Sequence, residues 1–169
     1  MTDAVDFRPE ALLERLDAAG VQFVMIGGLA AQAHGSPSAT FDLDVVPSWD
    51  RANLEKVAQV LADVDADREG VADGGPSLPP LDARTLLAGA VFTLQTRYGR
   101  FDLLSNPDPG LDYGVLARTA VTFDLDGLRV KVASLEDLIT MKRAAGRPKD
   151  LVELEILGAL REELDRGSG

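Results

Sequence analysis

Two aspartates one residue apart, Asp42 and Asp44 in TFDLDVVP, sit inside an apolar run. Along a strand, side chains two positions apart leave the same face, so the two carboxylates would stand about 6–7 Å apart on one side. Charges held that close repel, and a divalent cation or solvent has to neutralise them. Hard oxygen ligands of this kind suit Mg²⁺ carried with the phosphates of a nucleotide. Phe41, Leu43 and Val45 alternate with the aspartates, which predicts one apolar face and one acidic face. A solvated edge strand would read the same way.

A third carboxylate, Asp102 in GRFDLLS, falls on another apolar strand of matching type. Three carboxylates from two strands could hold one or two metal ions between an attacking hydroxyl and a leaving phosphate. Upstream, Gly27 and Gly28 close an apolar run and open a short helix. Free backbone N–H groups at such a turn can meet an anion unobstructed by side chains, although a glycine pair also serves as a plain tight turn. Asp124 and Asp126 in TFDLDG repeat the i, i+2 spacing, but Asp126-Gly127 is a hairpin turn signal, so both are read as structural. His34, the lone histidine, follows the short helix. It is kept as a secondary candidate, a packing or loop residue being the ordinary alternative to an acid or donor near phosphate. Trp49, Arg51, Arg97 and Arg100 are candidates by position only. Arg97 and Arg100 flank the Tyr98-Gly99 turn, where solvent exposure is the default, and all four stay outside the predicted catalytic set.

These residues are carried by a readable succession of elements. Pro9 and the spacing of Leu12, Leu13 and Leu16 predict a helix stopped by Gly20. A buried strand follows over Val21 to Ile26, then the glycine turn, a short helix Leu29 to Ala33, and a strand Thr40 to Val46 closed by Pro47. Ser48 is the expected N-cap of a helix reaching Val64, with Leu54, Val57, Val60 and Leu61 on its buried side. Asp65 to Pro80, which contains GGPSLPP, reads as one long irregular loop. A helical piece at Ala83 to Leu87, a hairpin VFTLQTR/RFDLLS, a helix at Asp112 to Leu116 and a second hairpin AVTFDLD/LRVKVA come next. Ser134 caps a helix through Ala145, Gly146 stops it, and a last helix runs from Pro148 to about Leu164.

The 169 residues, 46% of them apolar, are enough for one well-buried core and short for two. A single domain over 1–169 is expected, with a core at about 8–133 and C-terminal helices at about 134–164. With 28 acidic against 17 basic residues, the net charge of −11 opposes a broad electrostatic grip on nucleic acid. A small molecule, a cationic one or a basic protein fits better, while a local basic patch can still dock RNA. The absence of cysteine excludes disulfides, thiolate chemistry and cysteine-ligated zinc. The N-terminus lacks the apolar core of a signal peptide, and no segment reaches the roughly 18 apolar residues of a membrane span. A soluble, cytoplasmic protein with no membrane partner is expected.

GG, a dozen residues, T-x-D-x-D on a strand and a later strand aspartate together resemble the nucleotidyltransferase superfamily, whose fold is like that of DNA polymerase beta. The stretch SLEDLITMKRAAGRPKDLVELEIL resembles the C-terminal Lys and Arg-x-Lys-Asp elements of the bacterial AbiEii-type nucleotidyltransferase toxins and their uncharacterised relatives. The two regions cover about a third of the chain. The resemblance implies an α/β (α+β) fold, a mixed sheet flanked by helices with a C-terminal helical segment. It implies that Gly27 and Gly28 lie against the phosphates of an NTP and that Asp42 and Asp44 bind Mg²⁺ or Mn²⁺. Asp102 would complete the metal site and help deprotonate an acceptor hydroxyl, whose attack on the α-phosphate releases pyrophosphate. Lys142 matches a lysine near the triphosphate, and Asp150 the acid of the fourth motif; an exposed helix lysine is the plain reading of Lys142. Thr40 opens the T-x-D-x-D motif and is a secondary candidate.

Two departures stand out: many members carry a serine where this chain has Gly28, and relatives of the subgroup often carry a basic residue near Ser38 or Phe41. Three readings follow. The leading one is a metal-dependent nucleotidyltransferase whose acceptor is a tRNA end, a protein side chain or a small molecule such as an antibiotic, with a cognate antitoxin or other protein as a partner. The second is a noncatalytic binding or regulatory module of the same fold. The third is a structural domain in which the aspartates are incidental.

Overall fold

A computed structural model describes residues 5–70, 75 and 77–168. Its elements follow the order α1 (Pro9–Ala18), β1 (Phe23–Ile26), α2 (Gly27–Ala33), β2 (Asp42–Pro47), α3 (Arg51–Asp63), β3 (Asp67–Arg68), α4 (Ala83–Ala88), β4 (Val91–Thr96) and β5 (Gly99–Leu104). They continue through α5 (Tyr113–Thr119), β6 (Val121–Leu125), β7 (Leu128–Val132), α6 (Leu135–Ala145) and α7 (Pro148–Gly167). Seven strands form one sheet in the order β3-β4-β5-β2-β1-β7-β6. The β2–β5 and β1–β7 pairs are parallel and the others antiparallel, so this is the mixed, helix-flanked sheet that was expected. Among the described residues, no helix is long and apolar enough to cross a membrane.

The two-residue period of the central strands divides their side chains between two environments. Leu43 and Val45 of β2 and Phe101 and Leu103 of β5 are buried, in one cluster with Leu12 and Leu16 of α1 and Leu54, Val57 and Leu61 of α3. Phe41 departs from the predicted alternation. Strand β2 begins only at Asp42, so no ladder obliges Phe41 to turn inward, and the residue is 76% exposed.

The helix ends are set by short polar side chains. Asp50, Asp82, Asp112 and Ser134 each accept the backbone N–H three residues on, satisfying a donor that the first helical turn leaves free. Ser48 is therefore not the cap of α3. Its hydroxyl donates to the Asp50 carboxylate at 2.7 Å, and the ionised Asp50 takes the capping position two residues later. The predicted loop Asp65–Pro80 is also partly corrected: Asp67 and Arg68 add an edge strand to β4, while 71–74 and 76 lie outside the described residues. Arg97 and Tyr98, rather than Tyr98 and Gly99, form the β4–β5 turn, with Gly99 at φ +107° opening β5.

Asn53 of α3 ties the helix to the segments just before β1 and just after β2. Its Oδ1 accepts the Gln22 N–H at 2.8 Å, and its Nδ2 donates to the carbonyls of Gln22 and Ser48 at 3.0 and 2.9 Å. The side chain is buried, so truncation strands three backbone groups away from water. Asn53→Ala is expected to cost about 2–3 kcal/mol, read as a fall of about 5–10 °C in the thermal unfolding midpoint.

Candidate active site

Parallel pairing of β2 with β5 sets Asp42 beside Arg100 and Asp44 beside Asp102. Because neighbouring strands lie about 4.8 Å apart, in-register residues of one face become side-chain neighbours. The face opposite the apolar cluster is thus acidic: Asp42, Asp44 and Asp102 each present a carboxylate oxygen, all within 4.8 Å of one another. They form the one group of three such ligands among the described residues. Sequence spacing foresaw the pair on β2; that β5 lies next to β2, in this register, is a property of the fold.

Crowding and burial alter how these groups hold protons. Asp44 is pushed up to about 8, first by burial and then by the charges of Asp42 and Asp102. Asp102 is raised as well, mainly by burial, with a hydrogen bond to Asp44 and the Arg100 guanidinium working in the opposite direction. Oxygen donors of this kind, without nitrogen or sulfur, fit a hard divalent cation such as Mg²⁺ or Mn²⁺, and a cation would offset both the burial and the neighbouring charge that raise Asp44.

The surrounding chain is shaped to leave this face open. The acids line a cleft of about 710 Å³ that also contains Gly27, Gly28, Thr40 and Lys142. A larger hollow of about 940 Å³, between α3, α4 and Leu78–Pro80, lies away from the triad. Gly27 sits at φ +75°, and a Cβ there would run into the Asp44 carboxylate. A Cβ on Gly28 would lie 2.7 Å from Thr40 Oγ1 and 2.8 Å from Thr40 Cβ. Thr40 therefore occupies the space that a side chain at position 28 would need, and its hydroxyl donates to Asp42 Oδ1 at 3.0 Å. A hydroxyl is present beside the glycine turn even though no serine stands in it.

Across the cleft, α6 and the start of α7 contribute Lys142, Arg147 and Lys149. Gly146 at φ +62° reverses the chain between the helices, which the stop signal predicted. Asp150 does not line the cleft; its side chain is fully buried behind it. The carboxylate accepts from the Arg147 backbone N–H at 3.0 Å, Arg147 Nε at 2.8 Å and Lys142 Nζ at 3.3 Å. These partners, Arg147 above all, hold it at about 2, below the ordinary carboxylate value. Lys142 is consequently a tethered cation, 26% exposed, in place of the solvated helix lysine of the plain reading.

His34 is placed elsewhere. Its Nε2 lies 2.8 Å from the Ala133 carbonyl and its ring meets Phe123 edge-on at 5.1 Å, so it fastens the end of α2 to the β6–β7 region. Asp124 accepts the Gly127 N–H in the β6–β7 turn at 2.7 Å. Trp49 stacks with Phe92, Arg51 pairs with Glu55, and Arg97 lies against Tyr98. Arg100 is the candidate that position had left aside and the structure brings in. It lies two residues before Asp102, and that same-face spacing was the available signal.

No protein-family model matches the chain, and no curated protein matches it in sequence. Solved structures do resemble it. The lincosamide antibiotic adenylyltransferase LnuA, solved with lincomycin bound, matches over 92% of this chain and 99% of its own, with a TM-score of 0.61 and 14% identity. TM1012 of Thermotoga maritima, a proposed nucleotidyltransferase, matches over 95% and 96%, with a TM-score of 0.55 and 16% identity. The antibiotic-resistance factor ANT(2'')-Ia matches over 95% and 90%, with a TM-score of 0.54 and 13% identity. At these identities the likeness is one of fold, and the fold is that of the nucleotidyltransferases.

The raised value of Asp44 has a consequence for stability. Folding favours its protonated form, so the cost of ionising it grows as pH rises from the ordinary 3.8 and levels off above about 8. In EDTA, Asp44→Asn should therefore unfold at a higher temperature than the native chain at pH 8, by at least about 2–4 °C for each kcal/mol relieved. The gap should close as the pH is lowered towards 4. A native chain as stable as the variant at pH 8 would show that ionising Asp44 in the folded state carries no such cost.

Proposed function

We propose that this chain is a metal-dependent nucleotidyltransferase that transfers a nucleoside monophosphate, AMP from ATP in the first instance, to the hydroxyl of a small-molecule acceptor. The observation that carries the reading is the convergence of Asp42, Asp44 and Asp102 within 4.8 Å, on the floor of a cleft bounded by Gly27 and Gly28 and faced by Lys142. Two of the similar folds belong to proteins named for antibiotic adenylylation or resistance, which supports a small acceptor. The chain's charge of −11 supports the same choice over RNA.

In this reading Asp42, Asp44 and Asp102 hold Mg²⁺ or Mn²⁺, which when bound offsets charge on the attacking and leaving oxygens. The side-chain-free face of Gly27 and Gly28 lets phosphate oxygens approach the backbone, with the Thr40 hydroxyl beside it. Lys142, Arg147 and Lys149 draw the polyphosphate towards the α6–α7 wall, and Asp150 keeps the first two aimed there. In the same reading Asp102 takes the proton of the acceptor hydroxyl.

A second reading keeps the chemistry and changes the acceptor to a tRNA end, with a cognate antitoxin as partner. It is supported by Lys142 and Asp150, the residues of the C-terminal stretch that resembles the toxin-like proteins, which pair with one another here. Incubation with [α-³²P]ATP and either a small-molecule hydroxyl library or total tRNA separates the two by which fraction becomes labelled.

The primary test is thermal stability with each NTP, with and without Mg²⁺ or Mn²⁺, for the native chain and for Asp42→Asn combined with Asp44→Asn. A nucleotide at about 100 times its dissociation constant should add about 2.7 kcal/mol, in the native chain only and with metal only. No stabilisation by any nucleotide, with either metal, would remove the catalytic reading and leave the noncatalytic module.

A further inference from the structure

We propose that Arg100 is a positioning cation for the acidic triad, one that disfavours a bare divalent ion and favours the ion arriving with a nucleotide; the inference rests on the nucleotidyltransferase reading above. Arg100 lies beside Asp42 in the β2–β5 register, and its Nε is 3.4 Å from Asp102 Oδ1 and 3.2 Å from Glu69 Oε2. Asp102 is 13% exposed, while Arg100 and Glu69 are 42% and 44% exposed. The guanidinium thus stands at the wet rim of the triad, bonded inward to a candidate metal ligand and outward to an anchor that lies outside the triad. Glu69 is itself fixed by its backbone N–H, which donates to the Thr93 carbonyl of β4 at 3.0 Å.

Two consequences follow from charge. An ion entering the triad alone must compete with Arg100 for Asp102 Oδ1 and must bring two positive charges next to a third, which arginine cannot shed by deprotonation. An ion entering on a triphosphate brings anionic oxygens with it. Arg100, displaced from Asp102 and still tethered by Glu69, can then turn its fork of donors to phosphate in a charge-assisted pair. The same side chain therefore opposes one form of the metal and supports the other. It also adds a cation to a cleft whose lining includes Ser38 and Phe41.

The test uses Mn²⁺ as the probe with the full chain, the bare ion read as free Mn²⁺ by electron paramagnetic resonance and the Mn²⁺–ATP complex as radiolabelled ATP retained by the protein in equilibrium dialysis with Mn²⁺. Arg100→Gln is expected to bind bare Mn²⁺ about 3- to 10-fold more tightly than the native chain, the size expected for one partly screened charge. The same variant is expected to bind Mn²⁺ with ATP at least about threefold more weakly. Arg100→Lys, which keeps the charge and loses the fork, should stay within about twofold of the native chain for the bare ion. Unchanged or weaker binding of bare Mn²⁺ by Arg100→Gln would overturn the proposal. Tighter binding of both forms would also overturn it, since Arg100 would then merely repel, as would a gain in Arg100→Lys equal to that of Arg100→Gln. If the native chain binds no Mn²⁺ even with ATP, the nucleotidyltransferase reading itself fails, and this inference fails with it.

Discussion

Mutual repulsion among three carboxylates, held together by the in-register pairing of two parallel strands, is the constraint around which this cleft is arranged. Asp42, Asp44 and Asp102 cannot move apart without breaking the β2–β5 ladder or withdrawing Leu43, Val45, Phe101 and Leu103 from the core on the opposite face. The apolar side of each strand therefore holds the acidic side in place. Burial on one face of these half-buried strands supplies the free energy, and charge on the other face stores strain.

The nearby chain accommodates that strain in several physical ways. Gly27 carries no Cβ to collide with Asp44, and the Thr40 hydroxyl donates to Asp42. Arg100 sets a fixed positive charge against Asp102, and burial together with the neighbouring acids makes ionising Asp44 more costly than usual. The opposite wall is built differently, around one buried anion in place of three crowded ones. Asp150 gathers Arg147 and Lys142 from both sides of the Gly146 reversal, so a carboxylate hidden behind the cleft fixes the direction of cations that line it. The cleft thus sets an acidic floor against a basic wall, the polarity that the proposed metal ion and polyphosphate would call for.

Much of this could be read from the chain because it rests on local physics. The two-residue alternation around Asp42 and Asp44, the Gly146 stop and the Asp126-Gly127 hairpin turn each depend on residues within a few positions of one another, whereas Gly27 and Gly28 open α2 themselves instead of forming a turn before it. Local preference erred where two neighbouring residues competed for one role. Asp50 took the capping position from Ser48, and Phe41, lying just before β2, stayed in solvent although the alternation pattern included it.

What the sequence by itself determined was the inventory: one apolar and one acidic face on β2, a third acid on a strand of the same type, a glycine pair after β1, and a C-terminal pair of helices carrying lysine and arginine. What only the tertiary structure decided was adjacency. Strand order put β5 against β2, register put Arg100 beside Asp42, and packing of α6 against α7 hid Asp150 while turning Lys142 towards the cleft. The chain also placed its lone histidine against Ala133 and Phe123, on the strength of contacts about a hundred residues away in sequence. The physical reason is range. Backbone conformation and side-chain alternation are set by bonded and near-bonded neighbours, whereas the charge environment of a carboxylate is set by whichever groups the whole core brings within a few ångströms of it.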